Sequence, residues 1–393
     1  MSDPNFDIAV VGGGPAGCHA ARRLAERGFS VLLAEALEHP RWKPCAGGVT
    51  AKALPYLSPT LGGLVERWMY GAHITFGPDL ALHVKSARRV GGMVHRESFD
   101  QRHFEEVAEL PRVTALTRCR VREVERADRG WRLTTTRGAF TARGVVGADG
   151  VKSVVRRVLD GDLGEATRRH SVAFEGEVRF ERPLLAEDAV FDFRGFATGY
   201  GWVFPKEDHY SIGGYVMRPK APALRDDYVQ FRRESPWLRD TIEIRTKGYG
   251  VPFGGHRGKA HGPGLLLAGD AAEVADPFTG EGIYYAFRSA ELAAEAMSAH
   301  LRNGLPLDGY SHQVEREIQQ DLRWAGRLGA LLYKAPRTAF SLLAKNPVAC
   351  RWWVELLRGE RSYRQMTRAL VLASPVLLAR LLLTTRRAEV TVS

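Results

Sequence analysis

Cysteine is scarce in this sequence. Four of the 393 residues are cysteines, and Cys18, Cys45, Cys119 and Cys350 are too widely spaced for a disulfide framework or a C-x-x-C zinc motif. No group of His, Asp or Glu residues has the spacing of metal ligands either, so we predict no metal site. Reduced thiols are typical of the cytoplasm, where we expect the protein to be.

Long apolar runs are absent as well. No run reaches the roughly 18 residues that a membrane-spanning helix needs. The chain leads almost directly into a predicted strand at Phe6, so we also expect no signal peptide. With 45% hydrophobic and 26% charged residues, the composition indicates a folded protein rather than a disordered one.

Acidic residues are in deficit. The chain has 45 Asp and Glu against 56 Lys and Arg, a formal net charge of +11. This excess favours acidic partners, such as a phosphate-bearing ligand, an anionic membrane surface or an acidic electron carrier. The basic residues are spread along the chain rather than gathered in one tail, so we expect no nucleic-acid partner.

A glycine-rich turn follows the first predicted strand. Gly12, Gly14 and Gly17 have the G-x-G-x-x-G spacing, and a helix that includes Ala16 follows. The glycines permit a tight turn, close approach of a pyrophosphate to the backbone, and close packing of helix on strand. The N-terminus of the helix would face the phosphates. The pattern predicts dinucleotide binding; the alternative is a glycine-rich turn without a ligand.

An acidic residue stands where a ribose would bind. Glu35 ends the second predicted strand, residues 31–34, and follows Gly17 by 18 residues. At that distance a carboxylate accepts hydrogen bonds from ribose hydroxyls. It also disfavours a 2′-phosphate, which argues against NADP in this position.

Two later stretches concern the rest of the dinucleotide. Asp149 and Asp270 each end a predicted strand, where they could accept from a sugar hydroxyl or, alternatively, cap a helix. Gly280 and Gly282 precede a helix that begins near Ile283, so backbone N–H groups could approach a ligand there. A helix N-terminus would stabilise the negative charge of a reduced flavin, which favours FAD.

These stretches together resemble the FAD-binding fold of para-hydroxybenzoate hydroxylase-type flavoproteins. Arg96, Phe99 and Asp100 match the R-x-x-F-D element of that group, in which the arginine contacts the cofactor. The resemblance extends from residue 6 to about residue 300. It implies that FAD is the cofactor and that Arg96 binds it.

Two further stretches of the sequence bear on the substrate: a predicted strand with three aromatic residues and a loop that contains a cysteine. Tyr200, Trp202 and Phe204 alternate in "TGYGWVFPK", which places them on one face of a strand. They could line an apolar pocket or simply pack in a sheet core. The loop "KPCAGGVT" carries Cys45 before a Gly-Gly pair.

Both stretches resemble the geranylgeranyl reductase family, which has a Y-x-W-x-F-P motif and a cysteine–glycine loop after the second strand. "HYSIGGY", residues 209–215, is also similar to that family. The chain departs from it in lacking the proline that usually precedes the tyrosine, and in placing Ala46 directly after Cys45. By this resemblance Ala46 and Gly47 lie beside the flavin ring. The residues that would face the substrate are Cys45, Gly48, Tyr200, Trp202 and Phe204.

The family implies reduction of C=C bonds in an isoprenoid chain, such as geranylgeranyl diphosphate, a geranylgeranylated lipid or the tail of a polyprenyl quinone. A hydride from the flavin adds to one carbon and a proton to the other. Cys45 or Tyr200 is a candidate acid, although Cys45 could instead position the chain or be a small buried hydrophobe. The sequence has no second G-x-G-x-x-G motif and no nicotinamide domain, so we expect that NAD(P)H binds transiently or that a ferredoxin-like protein is the external electron donor.

Two other functions share these features. An FAD-dependent monooxygenase or halogenase of an apolar substrate has the same fold, and Lys85 is a candidate for the halogenase lysine by position alone. A non-catalytic electron-transfer module is the third candidate, which the aromatic wall disfavours because a carrier needs no long apolar pocket.

The predicted fold is α/β, with a Rossmann-type FAD-binding domain, an inserted antiparallel-sheet substrate domain and a helical C-terminal region. The FAD domain covers residues 1–160 and 255–300, with residues of about 50–90 partly in the substrate lobe. The substrate domain covers residues 161–254, and the helical cap covers 301–393. An apolar stretch near the C-terminus, flanked by arginines, predicts a helix that lies in a membrane interface or packs as a cap. We therefore expect peripheral association with the inner face of the cell membrane.

Overall fold

The fold consists of two large β-sheets and a small one, with helices packed against them. The computed structural model describes residues 5–77, 80–160, 170–217, 223–255, 258–344, 346–381 and 388–392. The strands are β1 (Phe6–Val11), β2 (Val31–Ala34), β3 (Gly48–Thr50), β4 (Val65–Met69), β5 (Gly71–Thr75), β6 (Ala81–Ser86), β7 (Gly91–Val94), β8 (Val113–Leu116), β9 (Val121–Ala127), β10 (Gly130–Thr135), β11 (Gly138–Gly147), β12 (His170–Phe180), β13 (Asp188–Asp192), β14 (Gly199–Pro205), β15 (His209–Val216), β16 (Thr241–Pro252), β17 (His261–Gly262), β18 (Leu265–Leu267) and β19 (Ala388–Val392).

The α-helices cover the sheets and form most of the C-terminal part of the chain. They are α1 (Pro15–Glu26), α2 (Pro59–Gly62), α3 (Arg96–Ala108), α4 (Val154–Asp160), α5 (Ala223–Glu234), α6 (Ile283–Asn303), α7 (Asp308–Val314), α8 (Gln320–Leu332), α9 (Pro336–Ala344), α10 (Pro347–Leu357) and α11 (Tyr363–Leu381). Among the described residues, no helix is both long and apolar enough to cross a membrane.

The first sheet is the predicted Rossmann-type sheet. Its strand order is β17-β18-β11-β1-β2-β8, and β1 pairs in parallel with both β2 and β11. Ile8, Ala9 and Val10 are completely buried, as expected of a central parallel strand covered on both faces. Helices α1 and α6 pack against each other, and their buried apolar side chains join the core of this sheet. The predicted α/β fold class is confirmed.

The second sheet is mainly antiparallel and has the order β16-β12-β15-β14-β13-β5-β6-β19. Strands β5 and β6 come from residues 71–86, between two parts of the first sheet, and join through a parallel pairing of β5 with β13. Strands β5 and β6 therefore belong to the second sheet, whereas the predicted division into domains stays a prediction. The predicted start of that lobe, near residue 161, lies outside the described residues.

The helical prediction for residues 301–393 is wrong at its end. Residues Ala388–Val392 form β19, which pairs in parallel with β6 at the edge of the second sheet. Two features explain the difference: the segment contains Val390, Thr391 and Val392, which are β-branched, and an edge strand presents unpaired backbone groups to any such segment. Residues 382–387, which include the end of the apolar stretch, lie outside the described part of the chain.

Two of the C-terminal helices begin at a proline. Helix α9 begins at Pro336 and helix α10 at Pro347, as expected because proline is tolerated in the first helical turn. The Asn346 side chain caps α10 by accepting hydrogen bonds from the N–H groups of Val348 and Ala349, at 2.9 and 3.2 Å. After α10, Gly359 has a left-handed backbone with φ of +73°.

The glycine pair of β15 makes room for aromatic rings. Gly213 lies opposite Trp202 in the ladder, and a Cβ placed on it would lie 2.3 Å from Cζ2 of that tryptophan. A Cβ on Gly214 would lie 2.0 Å from a ring carbon of Phe196. The two glycines therefore allow both faces of the sheet to carry large rings.

We predict that Gly213→Ala lowers the free energy of unfolding by about 1–3 kcal/mol, because the added methyl also lies 2.4 Å from the Phe174 carbonyl oxygen. Urea unfolding of the purified protein measures this change. The control is Gly62→Ala, whose Cβ has no neighbour within 4 Å and whose effect should stay within about 0.5 kcal/mol. Equal stability of the two variants would contradict the packing argument.

Candidate active site

A cavity of about 390 Å³ opens between the two large sheets and the C-terminal helices. Part of its lining carries polar groups and comes from loops and helix starts at the edge of the first sheet, together with strand β16 of the second sheet. These residues include Gly14, Pro15, Lys43, Arg96, Tyr249 and Asp270. The rest is apolar and comes from the second sheet and the C-terminal helices. It includes Met69, Leu82, Val84, Phe191, Phe340 and Val354.

The glycine-rich turn joins β1 to α1 at the polar part of the lining. Gly12 has φ of +104°, and a Cβ on Gly17 would lie 1.8 Å from the Gly12 carbonyl oxygen, so both positions require glycine. Gly14 differs, because the nearest atom to its added Cβ is Nη2 of Arg41 at 3.6 Å. Gly14 and Ala16 both line the cavity.

Glu35 is buried behind this turn. Its carboxylate accepts hydrogen bonds from the N–H groups of Gly13 and Leu37, at 2.8 and 2.9 Å. Arg41 Nε lies 3.6 Å from Glu35 Oε1, and Arg41 Nη1 lies 3.4 Å from Asp100 Oδ2. The sequence analysis missed Arg41, whose Nε is buried without a hydrogen-bond partner. The predicted contact of Glu35 with a ribose stays a prediction.

Arg96 forms a buried ion pair on the first turn of α3. Its Nε and Nη2 each donate to Asp100 at 2.8 Å. Burial alone would raise the pKa of Asp100, but the Arg96 guanidinium lowers it below its usual value. Both groups are therefore charged, and Arg96 lines the cavity where the resemblance had placed it beside the cofactor.

The two strand-end aspartates have different surroundings. The Asp149 carboxylate accepts from the Ser153 hydroxyl at 2.5 Å and from the Val154 N–H at 2.6 Å, so it caps α4. Asp149 itself does not line the cavity, which corresponds to the capping alternative rather than to a cofactor contact. Asp270 does line the cavity.

Asp270 has two partners that the sequence analysis missed. Tyr249 donates to its Oδ2 at 3.3 Å, and Lys43 Nζ lies 3.5 Å from the same atom. Burial would lower the pKa of Lys43, but Tyr249 and Asp270 raise it, so the ammonium stays charged. Lys43 lies two residues before Cys45, and this position in the cysteine loop is the feature of the sequence that could have identified it as a site residue.

The loop of residues 276–282 is held by four tyrosine hydroxyls, one of which, from Tyr333 at the end of α8, donates to the Phe278 carbonyl at 3.5 Å. Tyr200 donates to the Thr279 carbonyl, and Tyr215 donates to the Pro277 carbonyl at 2.9 Å. Tyr363, from α11, donates to Asp276 Oδ2 at 2.6 Å. The loop therefore connects the first sheet, the second sheet and the C-terminal helices.

The same loop leads into the N-terminus of α6. Gly280, Gly282 and Ile283 line the cavity, and no side chain caps the helix. Gly280 has φ of +70°. The free N–H groups and the dipole of this 21-residue helix would stabilise negative charge on a bound group. The negative charge of Glu281 would oppose that effect, but it is paired with Lys52, whose Nζ lies 2.6 Å from the carboxylate.

The cysteine loop passes beside the cavity at Cys45, Ala46, Gly47 and Gly48. The N–H of Gly47 donates to Cys45 Sγ at 3.4 Å, and a Cβ on Gly47 would lie 2.1 Å from the Val94 carbonyl oxygen. Lys206 fixes the loop by donating to the carbonyls of Ala46 and Val94, at 2.8 and 2.9 Å. The thiol of Cys45 is half-buried.

The aromatic strand is β14, and its three rings share one face as predicted. Tyr200, Trp202 and Phe204 line the cavity and belong to one core cluster, whereas Val203 belongs to the cluster on the opposite face. The Trp202 indole donates to the Ser211 hydroxyl at 3.3 Å. The three rings form an apolar wall opposite the polar lining.

Two groups of residues lie away from the cavity. Lys85 is exposed on β6, while its neighbours Leu82 and Val84 line the cavity, so it is not placed to act there. On the same sheet His73, His83 and Asp188 have potential ligand atoms within 4.8 Å of one another. The sequence analysis missed this group, because Asp188 lies 105 residues after His83 and reaches the two histidines only through the pairing of β13 with β5.

The polar lining suits FAD. The unpartnered Arg41 Nε and the open space at Gly14 lie beside the N-terminus of α1, where a diphosphate binds in Rossmann-type folds. Helix α1, like α6, has no side-chain cap. Residues that would hold the cofactor therefore come from α1, the Lys43 loop, Arg96 and the N-terminus of α6.

Comparisons with known proteins agree with this geometry. Residues 7–153 match the model of the FAD-dependent oxidoreductase family. A geranylgeranyl diphosphate reductase of Rhodobacter capsulatus is 31% identical over 313 residues, which cover 77% of this chain and 78% of that protein.

Solved structures share the fold. A geranylgeranyl bacteriochlorophyll reductase-like protein of Thermoplasma acidophilum is 21% identical and superposes with a TM-score of 0.79, over 96% of this chain and 98% of that one. The flavin-dependent brominase Bmp2 is 16% identical, with a TM-score of 0.73 over 94% of this chain and 99% of that one. The fold is thus common to reductases and halogenases, and only the site residues can separate them.

We predict that Gly14→Val lowers the affinity for FAD at least tenfold, a cost of about 1.4 kcal/mol, because its side chain fills the open space beside α1. The apoprotein should fold normally, since Gly14 has an extended backbone that valine adopts. Isothermal titration of apoprotein with FAD measures the affinity, and circular dichroism checks the fold. Gly309→Ala, at a position with open space and far from the turn, is the control. Unchanged FAD affinity in Gly14→Val would contradict this placement.

Proposed function

The chain belongs to the geranylgeranyl reductase family of FAD-dependent oxidoreductases, and we propose that it saturates carbon–carbon double bonds of an isoprenoid chain. The observation that carries the proposal is the position of Cys45. Its thiol lines the cavity together with the uncapped N-terminus of α6 and the aromatic wall of β14. A proton source, a site for the flavin and an apolar chain site thus share one cavity.

The apolar lining supports a hydrocarbon substrate. Rings and aliphatic side chains from the second sheet face the C-terminal helices, and Phe340 and Val354 from α9 and α10 contribute to the same core cluster as Trp202. Burial of apolar surface provides the binding energy for such a chain, about 25 cal/mol per Å². Geranylgeranyl diphosphate, a geranylgeranylated lipid and a polyprenyl quinone tail all meet this requirement.

Reduced FAD, when bound, supplies the hydride for one alkene carbon. The chain's own residues have three tasks. The N-terminus of α6 stabilises negative charge beside Gly280 and Gly282. The wall of Tyr200, Trp202 and Phe204 excludes water and aligns the alkene. A protein group donates a proton to the second carbon.

Cys45 suits the last task better than Tyr200. The hydroxyl of Tyr200 already donates its proton to the Thr279 carbonyl, and burial raises the pKa of Tyr200 well above its usual value. The Cys45 thiol instead accepts the N–H of Gly47, which leaves its proton available. We therefore assign the proton to Sγ of Cys45 and a positioning role to Tyr200.

The flavin must be reduced between turnovers, and we propose NAD(P)H or a ferredoxin-like protein as the donor. The net charge of +11 would favour association with an acidic carrier protein.

We also propose that the C-terminal helices contact a membrane from which the substrate enters. Leu331, Val371 and Leu372 are 65%, 66% and 82% exposed on α8 and α11. Exposed apolar residues close to arginines, as on α11, are typical of interfacial helices. The buried Tyr363 on the same helix binds Asp276, so this part of the chain also supports the active site.

We predict that Cys45→Ala retains FAD but slows alkene saturation about 100- to 10,000-fold, the usual contribution of a general acid. The measurement is anaerobic single turnover: dithionite-reduced protein is mixed with geranylgeranyl diphosphate, a geranylgeranylated lipid or menaquinone, and product mass is followed. Cys350→Ala is the matched control, because that thiol lines the apolar part of the cavity. A fully active Cys45→Ala would remove the thiol from the reaction.

The same measurement tests the function itself. A product heavier by two hydrogens per bond, formed as the flavin is reoxidised without oxygen, establishes a reductase. Flavin that stays reduced until oxygen is admitted, followed by a product that has gained one oxygen atom, would assign the protein to the monooxygenases instead.

We predict that Leu372→Glu weakens binding to phosphatidylglycerol vesicles on the order of tenfold, through the lost burial of an exposed leucine and the added negative charge. Vesicle co-sedimentation measures the binding. Ile242→Glu, at a residue that is 72% exposed on β16, is the control. An equal effect of both variants would show that α11 has no specific membrane contact.

A further inference from the structure

Each saturated bond consumes one proton, and the cavity lining around Cys45 is mostly apolar. A thiol that has lost its proton must regain it before the next turnover. Two buried carboxyl groups of β12 lie behind the cysteine loop, Glu175 and Glu177. Glu177 is paired with Arg245, whereas Glu175 has no such partner among the described residues and also lines the large cavity.

Glu175 is only 3% exposed, and one of its two oxygens is satisfied. The Ser211 hydroxyl donates to Oε1 at 2.9 Å, and the Trp202 indole donates to that hydroxyl at 3.3 Å. Oε2 is buried without a hydrogen-bond partner. Burying an oxygen without a hydrogen-bond partner costs less free energy in a neutral, protonated carboxyl group than in a charged carboxylate.

A second, small cavity of about 10 Å³ lies behind the cysteine loop. Cys45 and Glu175 line both this cavity and the large one. Its volume is close to the lower limit of about 10–15 Å³ that a single buried water needs, and its lining is polar, so one water at this place would bridge the two groups. Lys206 and Ser211 also line it.

The small cavity continues towards the surface through two histidines. His209 is buried, and its ring meets that of the half-buried His95 edge-on, with centroids 5.6 Å apart. Glu177 lies next to both, and Arg245 donates to its carboxylate at 2.6 and 2.9 Å. His95 Nε2 lies 3.7 Å from Glu177 and 3.4 Å from Glu97. These polar side chains line the small cavity from Glu175 to the half-buried His95, and His209 Nδ1 lies 2.7 Å from Oδ1 of the exposed Asp208.

We propose that Glu175 carries protons from the His95–His209 surface group to Cys45, and so supplies the proton of each alkene reduction. The inference rests on the proposed reductase function and extends it by a residue that no sequence motif marks. The observations behind it are the unpartnered Oε2, the shared lining of two cavities, and the polar connection to the surface.

The steps balance for one bond. The alkene takes a hydride, with two electrons, from reduced FAD at one carbon, and the thiol proton of Cys45 at the other. The resulting thiolate takes the carboxyl proton of Glu175, and the carboxylate takes a proton from solvent through His209 and His95. The flavin ends oxidised and is reduced again by the external two-electron donor.

The charges around Glu175 are consistent with such a carrier. Burial raises its pKa to about 7, although Ser211, Lys206 and the Cys45 N–H act in the opposite direction. Lys206 is itself buried, which lowers its pKa to about 8. The other titratable or charged groups near Glu175 come from its own strand, the neighbouring strand β16, helix α5 and the cysteine loop with α3. They are Glu177, Lys247, Tyr228, Cys45 and Arg96.

The test is Glu175→Gln, which keeps the shape and the Ser211 contact but cannot carry a proton. We expect single-turnover alkene saturation to slow about 100-fold. In the unaltered protein the rate should fall as the pH rises through about 7, because the carboxyl loses its proton, and the variant should lose this inflection. Glu175→Asp keeps a titratable group, so its rate should be slower but should still show an inflection with pH. If Glu175→Gln does not bind FAD, Glu175→Asp replaces it as the test variant. Glu123→Gln, exposed on β9, is the control.

Two further readouts separate the possible failures. Infrared spectra of the unaltered protein should show a protonated carboxyl band at pH 6 that is missing from Glu175→Gln, and its absence overturns the inference. Saturation by Glu175→Gln within twofold of the unaltered rate, or with the inflection kept, overturns the relay and leaves the reductase function intact. If the unaltered protein saturates no alkene while its reduced flavin reacts with oxygen, both the function and the relay are wrong.

Discussion

The loop of residues 276–282 is the constraint on which the site depends. It belongs to the first sheet's half of the molecule, yet the hydroxyls that hold it come from β14, β15, the end of α8 and α11. The loop determines where the N-terminus of α6 begins, and therefore where negative charge is stabilised. A displacement of the second sheet or of α11 would move that helix terminus as well. The cofactor site and the site for the hydrocarbon chain are therefore coupled through this loop.

This coupling explains why the C-terminal helices do more than cover the sheet. Phe278 packs on Trp353 with ring centroids 5.1 Å apart, and its ring also meets Tyr363 edge-on. Apolar packing and the Tyr363–Asp276 hydrogen bond act on neighbouring residues of one loop. A substrate that separates α10 from the second sheet would disturb the packing of Trp353 on Phe278, so chain binding and loop position are linked through this contact.

Local patterns in the sequence were sufficient for much of the fold. The glycine turn and the alternating rings of β14 depend on neighbouring residues only, and each was predicted. Asp149 shows the limit, because a strand-end aspartate that caps a helix has the same local pattern as one that binds a sugar. Arg41, Tyr363 and Glu175 depend on tertiary contacts that no spacing reveals. Strand β19 was missed because its partner β6 lies some three hundred residues earlier in the chain.

The distribution of charge follows from the demands of the reaction. A hydrocarbon chain requires a dry apolar wall, whereas transfer of a proton requires polar groups that are costly to bury. The structure separates the two requirements at the second sheet, since Trp202 faces the cavity with its ring and turns its indole N–H towards Ser211 and Glu175. The cost of burying Lys206 is offset by two backbone carbonyls, which also fix the cysteine loop. The polar groups thereby lie directly behind the apolar surface, with Cys45 at the only place in the described lining where a thiol meets both.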